Sequence, residues 1–371
     1  MLKTDDVTLD PALKVLGLQL IVIPLFAATF ESSRRELIGV VVDDAVVKQL
    51  MATALDTSAL YHYPEALRVE LLRLATLLIE HLGRELVDHR KELIKFAWNH
   101  LKSDHSTSKM WAYVNVSRFI SIYETPPKII LQVYVALLRA YQPESKELVH
   151  TALDILVPAL PRRLPASEFV KAIKWTKKIM FEEGYALPVL VHIFGLIVRH
   201  PALFYAHQAQ FVPQMVHFFN RLGRFPTAAL ENRNLAVALV SLVLDGSRAD
   251  GAPAPGAAAG ADGSALPSAE NIAAVAQALA PTPSAPAVPA ENEFTLPLGM
   301  IDVVVNFLTR LALFTAEHKV GEGFLENLII DQTCVFFFKF SCAWVHSFWI
   351  SCLRINRDIL HVLIRCQSPF L

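Results

Sequence analysis

Apolar residues recur three and four positions apart through most of the chain. Leu67, Leu71, Leu74, Leu78 and Leu82 form the clearest series, with Glu70, Arg73 and Glu80 set between them. At 3.6 residues per turn this spacing gathers the leucines on one face, which predicts an amphipathic helix. The theme continues through Leu86, Leu93, Ala97 and Leu101, then Ile130, Val133 and Leu137, then Leu148, Ala152, Ile155 and Ala159. Further stripes occur at Leu190, Ile193, Phe194 and Ile197, at Phe211, Met215, Phe218 and Leu222, and at Leu235, Leu239 and Leu242. Strand signals are thin: Val40, Val41 and Val42 are β-branched, but no alternating run comes after them.

The breaks between stripes are regular. Pro64, Asp104, Pro143, Pro188 and Pro226 each mark a new helix, at intervals of roughly 40 residues, the period of HEAT and armadillo repeats. Each interval holds two helices, and such a pair must stack on its neighbours to bury its apolar face. The predicted fold is therefore all-α: a HEAT/armadillo-like α-solenoid of stacked helix pairs over residues 11–244. Asp104 and Ser106 are candidate caps for one helix, and Thr125 precedes Pro126 and Pro127 at the start of another. Gly184 and Gly223 fall where helices should end.

Four segments depart from this pattern. Pro11 to Phe30 is an apolar run containing Lys14, Gln19 and Pro24, expected to be a buried helix and not a membrane span. Residues 245–293 are rich in Ala, Pro and Gly without an apolar face, which predicts a disordered insertion. Residues 294–331 resume a helical pattern at Ile301, Val304, Val305, Leu308, Leu311 and Ala312. Residues 332–371 form an aromatic, cysteine-rich tail, long enough to span a membrane but carrying Lys339 and His346. Its composition breaks so sharply with the rest that it has the character of a gene-model artefact, such as a mis-spliced exon or a read-through intron.

Composition narrows the function. Hydrophobic residues make up 53% and charged residues 19%, so the chain carries enough apolar surface to fold. A formal charge of −1 argues against general polyanion binding. The start, Met1 to Asp10, lacks the positive region of a secretory signal. All four cysteines, Cys334, Cys342, Cys352 and Cys366, lie in the tail, with no C-x-x-C pair among them. The motifs H-E-x-x-H, G-x-S-x-G and G-x-x-x-x-G-K are absent, and Gly321 and Gly323 are too few to cradle a phosphate. His81 and His89, with Asp88, lack metal-ligand spacing, and Glu182 and Glu183 point apart on a helix. No catalytic residue, metal ligand or cofactor is predicted.

The densest basic stretch runs from Arg162 and Arg163 to Lys171, Lys174, Lys177 and Lys178, with Trp175 interleaved. Lys171, Lys174, Lys177 and Lys178 are the candidate partner-binding residues, against the alternative of an ordinary solvated helix face. Asn115-Val116-Ser117 matches a glycosylation sequon by pattern alone.

Four long stretches carry a resemblance: Glu85 to Ile120, Thr125 to Pro165, Trp175 to Tyr205 and Gln210 to Leu239. They resemble the transformation/transcription domain-associated protein family, giant pseudokinases related to phosphatidylinositol-3-kinase. The resemblance covers roughly Leu16 to Leu244, and more faintly Met300 to Ala312, and it includes no FAT or kinase-like region. It implies a non-catalytic scaffold of SAGA- and NuA-type histone acetyltransferase coactivator complexes, located in the nucleus. The implied partners are transcription activators and subunits of those complexes, with no small-molecule substrate and no sequence-specific nucleic acid. Two alternatives stand beside it: a membrane-associated helical protein anchored by the tail, and a truncated fragment without function of its own.

Overall fold

The computed structural model describes residues 10–31, 44–53, 55, 63–223, 228–246 and 296–318, and no strand occurs among them. The cysteines, most of the predicted insertion and the tail lie outside the described residues, as do Val40 to Val42 and Pro226. Twelve principal helices are assigned among the described residues. They are α1 (Pro11–Glu31), α2 (Asp44–Thr53), α3 (Glu65–His81), α4 (Arg90–Leu101), α5 (Ser106–Ile122), α6 (Pro127–Leu138) and α7 (Lys146–Leu156). They continue as α8 (Ala166–Glu182), α9 (Leu187–Arg199), α10 (Gln208–Gly223), α11 (Leu230–Gly246) and α12 (Leu298–His318). The chain divides into two units, Met1–Leu239 and Val240–Leu371.

In the first unit the helices alternate between two layers. α3, α5, α7 and α9 pack successively on one another, while α6 packs on α8, α4 on α5, and α10 on α9. The pairs α3/α4, α5/α6, α7/α8 and α9/α10 are thus the stacked repeats of an all-α solenoid. Several predicted stripes are buried throughout: Leu67, Leu71, Leu74, Leu78 and Leu82, and likewise Ile130, Val133 and Leu137, whereas of Leu235, Leu239 and Leu242 only Leu239 is buried. In the second unit α12 buries Ile301, Val304, Phe307, Leu308 and Leu311.

Polar ties repeat the same period. Asn115 Nδ2 donates to Thr76 Oγ1 at 2.9 Å across 39 residues, and Tyr134 meets Thr176 at 2.7 Å across 42. Arg139 reaches Glu183 across 44 residues, Arg199 reaches Asp154 across 45, and Arg221 reaches the Gly184 carbonyl across 37. Each tie joins an element of one repeat to its counterpart in the next. Asn115 is 1% exposed, so the sequon it begins is closed to modification in the folded chain.

Several expectations need correction. α1 is a helix, but it is buried on one side only: Leu13, Leu16, Leu20, Ile21 and Leu25 are exposed, Leu20 at 71%. A π turn at Leu18–Val22 adds a residue to the helical path and rotates the C-terminal half of the helix. α1 is long and apolar enough to cross a membrane, yet Leu18 and Phe26 pack in the core beside α3. Gln19 Nε2 also donates to Glu70 Oε1 of α3 at 2.8 Å. Neither Asp104 nor Ser106 caps α5, whose N-cap is His105 with no side-chain bond. Thr125 likewise donates to the Tyr123 carbonyl instead of closing α6. In α7 the core face is Val149, Ala152, Leu153 and Leu156, while Leu148 and Ile155 are half-buried. Likewise Phe219, not Phe218, is the buried phenylalanine of that turn.

The α7–α9 contact carries charge sensitivity. His150 stacks on His192 with ring centroids 5.9 Å apart, and Asp154 accepts from Arg199 at 2.9 Å and from His200 at 2.8 Å. Burial, aided by Arg199, pushes the His150 imidazole down to about 4. Burial lowers His192 as well. Above pH 6.5 both rings are neutral whether the chain is folded or not. Between 6.5 and about 4 the unfolded chain takes up protons that the folded chain refuses, so stability falls across that window. Urea unfolding is expected to show a lower midpoint at pH 5 than at pH 7, with the difference reduced in His150→Gln. An equal acid loss in the variant would remove His150 from the account.

Candidate partner-binding groove

α8 presents the predicted lysines, though not as one row. Lys171, Lys174 and Lys178 are exposed and lie three and four residues apart, with Trp175 among them. Lys177 is half-buried and turned elsewhere, its ammonium 5.9 Å from the Phe181 ring centroid. Lys171 Nζ contacts Glu168 Oε1 at 2.5 Å, Lys178 lies 3.6 Å from Glu182, and Lys178 sits 5.0 Å from the Trp175 centroid. Of the two arginines, Arg162 is exposed. Arg163 instead donates to the carbonyls of Ser121 and Ile122 at 2.8 and 2.6 Å, satisfying the end of α5. Its role is structural. Glu182 and Glu183 do part company, one toward Lys178 and the other to Arg139 at 2.9 Å. His81 stacks on Phe30 with centroids 4.7 Å apart, an aromatic packing role.

Beside the lysine face lies an open groove of about 900 Å³ between α6 and α8. Its floor is apolar, built from Leu131, Val135 and Ala136 of α6 and Trp175 of α8. Its rim is polar, with Lys128 and Gln132 on α6, Arg139 just past its end, and Glu168 and Lys171 on α8. The groove exists because α6 is apolar over more of its circumference than its packing uses. Ile130, Val133, Tyr134 and Leu137 face the core, leaving Leu131 and Val135 half-buried on the next face. The stripe of Ile130, Val133 and Leu137 marks only the first face. The second is visible in sequence as another apolar pair at a four-residue spacing.

Two exposed aromatics extend the surface beyond the groove. Phe181 is exposed near the C-terminal end of α8, and Tyr185 comes after it at 79% exposure. Arg221 of α10 donates to the carbonyls of Gly184 and Tyr185, which pins this backbone while leaving the Tyr185 ring outside. Apolar floor, a polar rim with more cationic than anionic groups, and exposed aromatic neighbours together suit an amphipathic helix with acidic flanks. Among the described residues no group of three His, Cys, Asp or Glu side chains is placed to hold a metal.

A family profile described as the Tra1 HEAT repeat ring region matches residues 1–329. The chain is 44% identical over 243 residues to the probable transcription-associated protein 1 of Dictyostelium discoideum, covering 64% of this chain. It is 32% identical over 256 residues to the human transformation/transcription domain-associated protein, covering 65% of this chain. It is 33% identical over 178 residues to a Saccharomyces cerevisiae protein named as the SAGA complex/NuA4 acetyltransferase complex subunit TRA1, covering 48% of this chain. The matches span 5%, 7% and 5% of these relatives' own lengths.

Proposed function

The chain belongs to the Tra1 HEAT repeat ring family, and on that premise we propose that it is a non-catalytic scaffold segment of a nuclear SAGA/NuA4-type acetyltransferase coactivator. Its partners in this reading are neighbouring subunits and the acidic, amphipathic segments of transcription activators. The observation that carries the activator contact is the α6–α8 groove, with an apolar floor at Leu131, Val135 and Trp175 beside Lys128 and Lys171. A docked helix would place apolar anchors on that floor and carboxylates toward Lys171, Lys174 and Lys178. The matched region is repeat ring alone, which supports a scaffolding role over phosphotransfer.

The test is charge reversal at the exposed lysines, Lys171→Glu, Lys174→Glu and Lys178→Glu together, in the whole chain. Binding of a fluorescent acidic activation-segment peptide is expected to weaken by about tenfold or more, as losing two or three charge-assisted contacts implies. Added salt should weaken the unaltered chain's binding in the same direction. Circular dichroism should stay unchanged, because these three side chains lie outside the core. Undiminished peptide binding in the triple variant removes this face from the activator contact.

A further inference from the structure

The groove between α6 and α8 has two unlike ends. Its lining runs from Pro127 and Lys128 to Arg139 on the α6 side, and from Pro165 and Ser167 to Trp175 on the α8 side. Two ties show that these helices run in the same direction. Tyr134 meets Thr176 and, further on in both, Arg139 meets Glu183. The first turns of both helices therefore stand together at one end of the groove, and residues of both line it.

That end is positive. Each N-cap is a proline, Pro126 for α6 and Pro165 for α8, and neither makes a side-chain cap bond. The Ile129 and Ile130 amides turn back to the Pro126 carbonyl, and the Glu168 and Phe169 amides to that of Pro165. The amides of Lys128, Ala166 and Ser167 come before these and have no acceptor inside their helices. The positive poles of both helix dipoles fall at the same place. Lys128 is exposed on the first turn of α6. Glu168, the carboxylate nearest this end of the lining, is paired with Lys171. The far end differs: α6 stops there with its negative pole, and Arg139 is matched by Glu183 at 2.9 Å.

Building on the activator contact assigned to this groove above, we propose that the docked segment binds in one polarity, as a helix antiparallel to α6 and α8. Its apolar anchors lie on Leu131, Val135 and Trp175, and the carboxylates of its last turn lie at the Lys128–Ser167 end. This polarity sets the negative pole of the docked helix against two positive poles. It also brings carboxylates to an ammonium and to unclaimed amides. The reverse polarity would gather three positive helix ends in one place. The partner class is thereby narrowed to amphipathic segments whose acidic residues follow their apolar anchors in sequence. Such a segment is a poor helix alone, because acidic residues at its C-terminus oppose its own dipole. It becomes helical on the groove, where that opposition is reversed.

The test uses two fluorescent, amidated peptides of identical composition, titrated against the full chain by anisotropy. Both carry leucine anchors at helical spacing; the first has its glutamates after the anchors, the second before them. The first is expected to bind about fivefold tighter. Free-peptide helix stability favours the second, so it cannot supply that preference. Lys128→Gln, at an exposed position, is expected to cut the difference to about twofold by weakening the first peptide. A photo-crosslinker on the last residue of the first peptide should mark Pro127, Lys128 or Ser167, and one on its first residue should mark the Arg139 end. Reversed marks, equal affinities, or an undiminished difference in Lys128→Gln would each overturn the polarity while the groove contact stands. No binding by either peptide, or marks outside the groove, would overturn the groove contact and the polarity with it.

Discussion

Tyr134→Ala is expected to cost the fold about 4 kcal/mol, a large share of a domain's usual stability of about 5–15 kcal/mol. Tyr134 is 1% exposed and stands between the second and third repeats, its hydroxyl 2.7 Å from Thr176 Oγ1. Thr176 Oγ1 already donates to the Ala172 carbonyl at 3.0 Å, so Tyr134 must be the donor between the two hydroxyls. Burial pushes its phenol well above the ordinary range, which keeps that proton in place. Truncation to alanine empties an aromatic-sized space and strands the threonine oxygen. Tyr134→Phe keeps the ring and loses only the bond, so about 1 kcal/mol is expected. Combining it with Thr176→Val should recover most of that loss, because no buried polar atom is then left alone. Urea unfolding of the parent and the three variants checks the series. A Tyr134→Phe chain as stable as the parent would show that the hydroxyl pair contributes packing and no bond.

Gly184→Ala is expected to destabilise by about 3 kcal/mol, which for a domain of this size lowers Tm by roughly 10 °C. A Cβ built at Gly184 would sit 2.0 Å from the Met180 carbonyl oxygen, a backbone atom of α8 that cannot move aside alone. Leu190 Cδ2 at 3.1 Å closes the other side. Arg221 grips the carbonyl of Gly184 itself, so relief of the clash also loosens the tie from α8 to α10. Gly83→Ala is the comparison. There the nearest atom is Ile122 Cγ2 at 2.7 Å, a side-chain methyl, and the nearest backbone atom, the Ile79 carbonyl oxygen, stands off at 3.1 Å. About 1 kcal/mol is expected at Gly83. Thermal unfolding of the pair checks the contrast, and equal losses would mean that the backbone around Gly184 yields more readily than its contacts suggest.

The repeat architecture was legible because both of its signals are local. A leucine every third or fourth position needs only 3.6-residue geometry to be read, and Leu67 through Leu82 are buried as that geometry requires. Proline is as legible: Pro64 is the N-cap of α3, Pro143 opens the turn before α7, and Pro188 sits in the first turn of α9. The features that sequence left hidden depend on neighbours. α1 is apolar along its whole length, and only its packing against α3 decides that Leu18 is inside and Leu20 outside. Asp104 has a capping side chain by type, but the chain turns one residue later, at His105. The four lysines are close in sequence, yet helical rotation turns Lys177 toward Phe181 and away from Lys171. Leu131 and Val135 make a groove floor only because α8 leaves them uncovered.

The ties that span one repeat length also decide which changes of length this chain can absorb. Asn115 with Thr76, Tyr134 with Thr176, and Arg199 with Asp154 each connect a helix to the next helix of its own layer. Removing a whole pair, such as α5 with α6, brings α7 against α3 with every remaining helix still in its own layer. Removing a single helix exchanges the layers for everything downstream, turning core faces toward solvent and aiming Arg199 at the wrong neighbour. Growth and loss in such a chain are therefore quantised in pairs.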